Sequence, residues 1–156
     1  MHANELTPCP NPTLPCVYTS PAFGLSPQDR RQERQIREMI ARLREILLAP
    51  PTHTERFHVV FWDSARRVSG MNALGQGSQT ALTVRIRDLF HHALKAEAAA
   101  ILMAHTHPSG DCRPSKKDLE STKRIALIGR SLEIELLDHL IFSQNAVYSM
   151  RKRGQL

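Results

Sequence analysis

The chain has 156 residues, of which 41% are hydrophobic and 23% are charged, and it carries a formal net charge of +6. This composition indicates one ordinary globular domain, and no run approaches the roughly 20 apolar residues that span a bilayer. The amino terminus lacks the basic-then-apolar layout of a secretory signal, so we expect a cytoplasmic protein with no membrane contact. The three cysteines are too few for a disulfide framework.

The amino-terminal third is predicted to consist of a tail followed by a helix. Residues 1–27 contain six prolines and few large apolar residues, so we predict a disordered tail. Residues 28–49 are predicted to form a basic amphipathic helix with Ser26 as its N-cap. Its arginines favour a solvated surface of ion pairs; the alternative is a face that contacts the phosphates of a nucleic acid.

The remaining two thirds, residues 52–156, are predicted to form one domain of five strands and two helices. The elements in chain order are strand 54–63, strand 68–74, helix 85–97, strand 98–104, helix 115–132, strand 135–142 and strand 146–150. Residues 75–79, G-Q-G-S-Q, are predicted to be a flexible loop. The order predicts an α/β or α+β fold, with a mixed sheet flanked by helices.

Two histidines and one aspartate mark a candidate metal site. His105 and His107 stand two apart at a predicted strand end, so their side chains face the same way. A Pro/Gly loop follows and leads to Asp118 in the first turn of the next helix. Two histidines and a carboxylate with an open fourth position are a known form of catalytic zinc site. In the simpler alternative, the histidines are satisfied polar residues and Asp118 only caps the helix with Ser115.

This stretch, H-T-H-P-S-G-D-C-R-P-S-K-K-D, resembles the signature of the JAMM (MPN-plus) metalloproteases. That signature is His-x-His, ten residues and Asp, with a Ser three residues before the Asp. H-P-S-G, the later L-L-D-H-L-I-F and the ending Y-S-M-R-K-R-G-Q-L resemble the bacterial RadC-like branch, over residues 36–156. The resemblance implies an MPN-like mixed sheet in a three-layer, cytidine-deaminase-like arrangement. The family's helix-hairpin-helix region has no counterpart in this sequence.

The resemblance also implies roles for individual residues. His105, His107 and Asp118 would bind Zn²⁺, Ser115 would orient the site or stabilise an oxyanion, and Glu55 matches the family's general base. Glu55 could instead be a surface residue at a strand edge. The implied activity is zinc-dependent hydrolysis of a peptide or isopeptide bond in a protein or peptide substrate. The alternative is a non-catalytic accessory protein, associated with DNA repair or mobile elements, that contacts nucleic acid through its basic surface.

Three further residues lie close to the motif in sequence. Cys112 lies inside the loop, where we expect an exposed bystander thiol rather than a fourth metal ligand. Asp138 and His139 match the family's D-H-L. They are either hydrogen-bonding partners of the metal ligands or satisfied polar residues of the core, and the sequence does not decide between the two.

Overall fold

A computed structural model describes residues 27–51, 53–77 and 85–156. In that part of the chain three helices and five strands follow one another: α1 (Pro27–Leu47), β1 (Glu55–Trp62), β2 (Val68–Gly77), α2 (Ile86–Lys95), β3 (Ala100–Thr106), α3 (Lys116–Ser131), β4 (Glu135–Phe142) and β5 (Val147–Ser149). The predicted tail up to residue 26, and with it the Ser26 N-cap, lies outside the described residues. No helix of the described part is long and apolar enough to cross a membrane.

The strands form one mixed sheet in the order β2-β1-β3-β4-β5. The pair β3–β4 is parallel, whereas β1–β2, β1–β3 and β4–β5 are antiparallel. A parallel pair needs a crossover connection, and α3 supplies it between β3 and β4. The predicted α+β fold with a mixed sheet and flanking helices is therefore confirmed.

Helices cover both faces of the sheet. On one face α1 packs against alternate residues of the central strands, among them Val60, Trp62 and Leu102. On the other face α2 and α3 pack against the intervening residues, among them Phe61 and Met103. Side chains on both faces of β1 and β3 are buried because helices cover both sides, which explains why these strands read as continuous apolar runs.

Several element boundaries differ from the prediction. Helix α2 ends at Lys95 because Glu97 adopts a left-handed conformation with φ 49°. The backbone N–H groups of Glu97 and Ala98 then bond back to the carbonyls of Leu94 and Ala93, in the pattern of a Schellman motif. Strand β3 consequently begins later and runs to Thr106. The predicted loop at 75–79 is wrong for residues 75–77, which belong to β2; residues 78–79 lie outside the described part.

Helix α1 carries the exposed arginines of the predicted basic surface. Arg34 lies 3.6 Å from Glu38, and Arg37 lies 3.2 Å from Glu33, each pair one helical turn apart. These contacts favour the ion-paired interpretation of the surface, although each exposed pair stabilises the helix only slightly. The alternative contact with nucleic acid stays a prediction.

Candidate metal centre

The centre lies where the carboxyl end of β3 meets the first turn of α3. His105 is the penultimate residue of β3, and its side chain is only 4% exposed. His107 follows the strand, but its backbone N–H still donates to the carbonyl of Phe142 at 2.8 Å, so β4 fixes its position. Ser115 is the N-cap of α3, and Asp118 is the third residue of the helix. The sheet and the helix start together bring all four residues to one point.

The three predicted ligands converge. His105 Nε2 lies 2.9 Å from His107 Nε2. The Asp118 carboxylate faces both nitrogens, with Oδ1 3.5 Å from His105 Nε2 and Oδ2 3.5 Å from His107 Nε2. In a tetrahedral site with metal–ligand distances of about 2.0–2.2 Å, neighbouring ligand atoms are roughly 3.3–3.5 Å apart. The two nitrogen–oxygen separations lie in this range and the nitrogen–nitrogen separation is shorter. The group could hold a metal ion. The described residues contain no other such group of three.

A backbone carbonyl orients His107, the more exposed of the two histidines. His107 Nδ1 lies 2.8 Å from the carbonyl oxygen of Asp111, in the loop between β3 and α3. A carbonyl can only accept, so Nδ1 carries the hydrogen, and in the neutral ring Nε2 keeps its lone pair. That lone pair is aimed at His105 and Asp118. This is the arrangement in which metal-binding histidines are usually held.

The start of α3 orients the carboxylate. Asp118 Oδ2 accepts hydrogen bonds from the backbone N–H of Ser115 at 2.7 Å and from its hydroxyl at 2.6 Å. The Ser115 hydroxyl oxygen in turn accepts from the Asp118 N–H at 3.1 Å, which completes a capping box. Oδ1 remains directed toward His105. Asp118 therefore fits both interpretations of the sequence: it caps α3, and it is also the carboxylate of the candidate metal site.

The electrostatics of the centre differ between its inner and outer ligands. Burial lowers the pKa of His105 to about 4, against a smaller opposite effect of Asp118. Burial also opposes charge on His107, but Asp118, the Asp111 carbonyl and nearby Glu55 together raise its pKa above the usual value. The pKa of Asp118 is low because the two histidines and Ser115 outweigh the effect of its burial. At neutral pH His105 is thus neutral and Asp118 ionised, as metal binding requires.

The structure separates the roles of Asp138 and His139, which the sequence left undecided. His139 Nε2 lies 2.8 Å from His105 Nδ1, and His139 Nδ1 lies 2.6 Å from the hydroxyl of Thr122. His139 therefore belongs to the surroundings of the candidate metal ligands. Asp138 instead accepts from the Ser149 hydroxyl at 2.5 Å and from the Arg151 backbone N–H at 2.9 Å. It anchors the chain around β5.

Thr122 is a member of this centre that the sequence analysis missed. It is the buried residue one turn after Asp118 on α3, and its hydroxyl donates to the Asp118 carbonyl at 2.6 Å. The i, i+4 spacing from a metal ligand is the one sequence signal that could have indicated it.

Glu55 is not part of the converging group. It is the first residue of β1, two residues before Phe57, which pairs with His105 and stacks on its ring at a centroid distance of 6.0 Å. Side chains two apart on a strand share a face, so Glu55 lies on the His105 side of the sheet. Its charge contributes to the raised pKa of His107.

The expected exposure of Cys112 is wrong. Its side chain is 2% exposed and packs with Ile141 and Met150, next to β5 and the chain end. The loop turns inward at this point, so the thiol fills a small apolar cluster. Cys112 is not among the residues whose ligand atoms converge.

Comparison with known proteins shows which proteins this chain is similar to. A family model described as "RadC-like JAB domain" matches residues 27–155. The UPF0758 protein STH371 of Symbiobacterium thermophilum is 40% identical over 102 residues, which are 65% of this chain and 44% of that protein. A UPF0758 protein of Chloroflexus aggregans is 37% identical over 111 residues, 70% of this chain and 48% of that protein.

The chain spans about half the length of these curated relatives. The match to the family model nevertheless covers most of the chain, from the start of α1 past β5. It includes every residue of the ligand group and its hydrogen-bonding partners. The resemblance inferred from the histidine–aspartate motif is confirmed, and the chain belongs to the RadC-like JAB domain family.

Proposed function

We propose that this protein is a zinc-dependent hydrolase that cleaves a peptide or isopeptide amide bond. The observation that carries the proposal is the convergence of His105 Nε2, His107 Nε2 and a carboxylate oxygen of Asp118. Two imidazoles and one carboxylate suit zinc better than magnesium or calcium, which prefer oxygen ligands. The JAB family is related to metalloproteases, which supports hydrolysis over a purely structural ion.

A zinc ion held by these three ligands would act as a Lewis acid and bring the pKa of a water in the open position to about 7. Glu55, on the same side of the sheet, accepts a proton from the attacking water. The water oxygen bonds to the amide carbon, the C–N bond breaks, and Glu55 delivers the proton to the leaving amine. The carboxylate thus begins and ends the reaction ionised.

In this mechanism Ser115 acts through Asp118. Its hydroxyl donates to Asp118 Oδ2 and accepts from the Asp118 N–H, so its hydrogen and one lone pair are already engaged. Of the two roles expected for Ser115, we therefore assign it the orienting one. It holds the carboxylate so that Oδ1 faces His105.

The metal is tested first, by metal analysis of the purified chain. We expect about one zinc per chain in the wild type, as for a three-ligand site. His105→Ala should lose the zinc while its circular dichroism spectrum still shows a folded protein. A folded wild type that takes up no zinc when zinc is supplied contradicts the proposal.

Catalysis is tested with quenched-fluorescence libraries of linear peptides and of lysine isopeptides. Glu55→Gln should retain zinc and lose cleavage of every library member that the wild type cleaves. Glu120→Gln is the matched control, because Glu120 is exposed on α3 and pairs with Lys116. It should retain both zinc and cleavage. Cleavage by Glu55→Gln at the wild-type rate would refute the role of Glu55, and a zinc-loaded wild type that cleaves neither library contradicts the proposed hydrolysis.

A further inference from the structure

We infer that Thr122 and His139 are positioning residues that determine which nitrogen of His105 is free to bind the metal. The inference rests on the proposed metal centre, which it deepens. Neither residue is among the converging ligands. They form a chain of three hydrogen bonds that runs from the backbone carbonyl of Asp118 to the far side of the His105 ring.

The contact between Thr122 and the Asp118 carbonyl fixes which atom donates in each of these three hydrogen bonds. The Thr122 hydroxyl oxygen lies 2.6 Å from the Asp118 carbonyl oxygen and 2.6 Å from His139 Nδ1. A hydroxyl has one hydrogen and a carbonyl has none, so the contact with the carbonyl is a hydrogen bond only if Thr122 donates it. The second contact then needs a hydrogen from the other side. His139 Nδ1 is therefore the donor, and the Thr122 oxygen accepts.

The same reasoning extends across the two rings. The His139 side chain is buried between α3 and the sheet, where a charged imidazole is disfavoured, so the ring carries one hydrogen, on Nδ1. His139 Nε2 is then an acceptor, and the 2.8 Å contact is donated by His105 Nδ1. A neutral His105 with its hydrogen on Nδ1 has a lone pair on Nε2. That lone pair faces His107 and Asp118.

The reverse direction disagrees with the geometry. If His105 carried its hydrogen on Nε2, then Nδ1 would accept from His139 Nε2, and His139 Nδ1 would accept from Thr122. The two oxygens of Thr122 and Asp118 would then be 2.6 Å apart with no hydrogen between them. Two lone pairs at that separation repel each other, and no metal ion would lie between these two oxygens to bridge them, as it would between the Nε2 atoms of His105 and His107, which are 2.9 Å apart. The carbonyl at the start of α3 thus selects the metal-binding tautomer of a histidine on β3.

Both histidine ligands therefore reach the same tautomer by different routes. The outer ring, His107, contacts the carbonyl of Asp111 directly. The inner ring, His105, is linked to the carbonyl of Asp118 through Thr122 and His139. Partners of this kind, in the layer around the ligands, typically change metal affinity by about 10- to 100-fold when they are removed.

The test uses a matched pair of variants of the full chain. Thr122→Val keeps the shape of the side chain and removes the hydroxyl, so His139 Nδ1–H would face a methyl group. His139 then gains by moving its hydrogen to Nε2, and His105 must move its own from Nδ1 to Nε2. Thr122→Ser keeps the hydroxyl. We expect Thr122→Val to bind zinc about 10- to 100-fold more weakly, and Thr122→Ser to stay within about threefold of the wild type.

Two measurements are made on each protein. Competition with a chelating dye gives the zinc affinity, and ¹⁵N NMR of the imidazole nitrogens gives the tautomer of His105 after zinc is removed with EDTA. The hydrogen should be on Nδ1 in the wild type and in Thr122→Ser, and on Nε2 in Thr122→Val. A purely structural role for Thr122 would change melting but not the tautomer.

The inference is overturned if wild-type His105 carries its hydrogen on Nε2. It is also overturned if a folded Thr122→Val keeps the Nδ1 hydrogen and the wild-type zinc affinity. The wild-type spectrum decides the matter even if Thr122→Val does not fold. If the wild type binds no zinc, the proposed function fails, and the spectrum of the metal-free protein still decides the direction of the hydrogen bonds.

Discussion

Acidification from pH 7 to pH 5 is expected to destabilise the metal-free protein by about 2 kcal/mol. The reason is that the folded chain holds buried imidazoles neutral, whereas the unfolded chain lets them bind protons. Burial lowers the pKa of His105 from 6.5 to about 4. Burial likewise places the pKa of His139 well below its usual value.

The sign and the magnitude follow from His105. A folded pKa below the unfolded value means that the unfolded chain binds more protons between about pH 6.5 and pH 4, so stability falls as the pH falls through that window. The difference between the unfolded and folded pKa values of His105 corresponds to at most about 3.4 kcal/mol of stability, of which about 2 kcal/mol is lost between pH 7 and pH 5. His139 adds to this loss.

The other members of the centre act differently. The pKa of His107 is raised in the folded chain, so His107 contributes stability below pH 6.5 and partly opposes the loss. The carboxyl pKa values of Asp118 and Asp111 are lowered, so their contribution is complete above about pH 4 and does not change in this window. The lowered pKa values of His105 and His139 outweigh the raised pKa of His107, so stability falls on acidification.

The assay is urea unfolding in EDTA at pH 7 and at pH 5, followed by the fluorescence of the single tryptophan, Trp62. This residue is 5% exposed and packs on the α1 face of the sheet, so it reports unfolding of the core. Stability that is unchanged or higher at pH 5 would refute the neutral burial of His105. His105→Asn should flatten the pH dependence. His91→Asn, which removes an exposed ring on α2, should overlay the wild type.

Three substitutions probe the frame around the site. Gly129→Ala should lower the melting temperature, because a Cβ there would lie 2.5 Å from the Ile134 carbonyl oxygen; an unchanged melting curve would contradict the tight end of α3. Arg56→Ala should lower the free energy of unfolding in urea by about 2 kcal/mol, because its guanidinium donates to four carbonyls at and just beyond the end of α1; Arg56→Lys should recover only part of this loss. Asp138→Ala should accelerate hydrogen exchange at the Arg151 amide while zinc content is retained, since Asp138 accepts from that amide; unchanged exchange would remove its anchoring role.

The sequence predicted those elements whose burial pattern is visible along the chain. Helix α1 shows an apolar stripe, and the central strands are continuous apolar runs because helices cover both faces of the sheet. The end of α2 could not be predicted, because the left-handed position that ends it is occupied by Glu97, where glycine is the usual signal. Gly75 and Gly77 read as loop residues, but pairing with β1 makes them strand, and pairing partners are not visible in local sequence.

The candidate site likewise has a part that the sequence predicted and a part that it did not. The convergence of the three candidate ligands was predictable because a fixed spacing places them on one strand end and one helix start. Their supporting contacts join residues 17 and 34 positions apart, His139 with Thr122 and with His105. No periodicity encodes such a contact. The path of the loop around Cys112 could not be predicted either. The thiol packs into the apolar cluster near β5, and the spacing of the neighbouring residues gives no sign of that contact.

The graded exposure of the ligands relates the proton chemistry of the centre to the direction of access. The exposed side-chain fraction rises from 4% for His105 to 14% for His107 and 22% for Asp118. His105 is neutral because it is buried, so it needs to lose no proton when a metal binds. His107 lies nearer the surface, where surrounding negative groups raise its pKa, so protons would compete with a metal at this candidate ligand. That outer side is also where the charge of Glu55 acts. In the proposed mechanism the amide would therefore reach the centre from its more exposed side, at His107 and Asp118, while His139 and Thr122 are buried on the other side of His105.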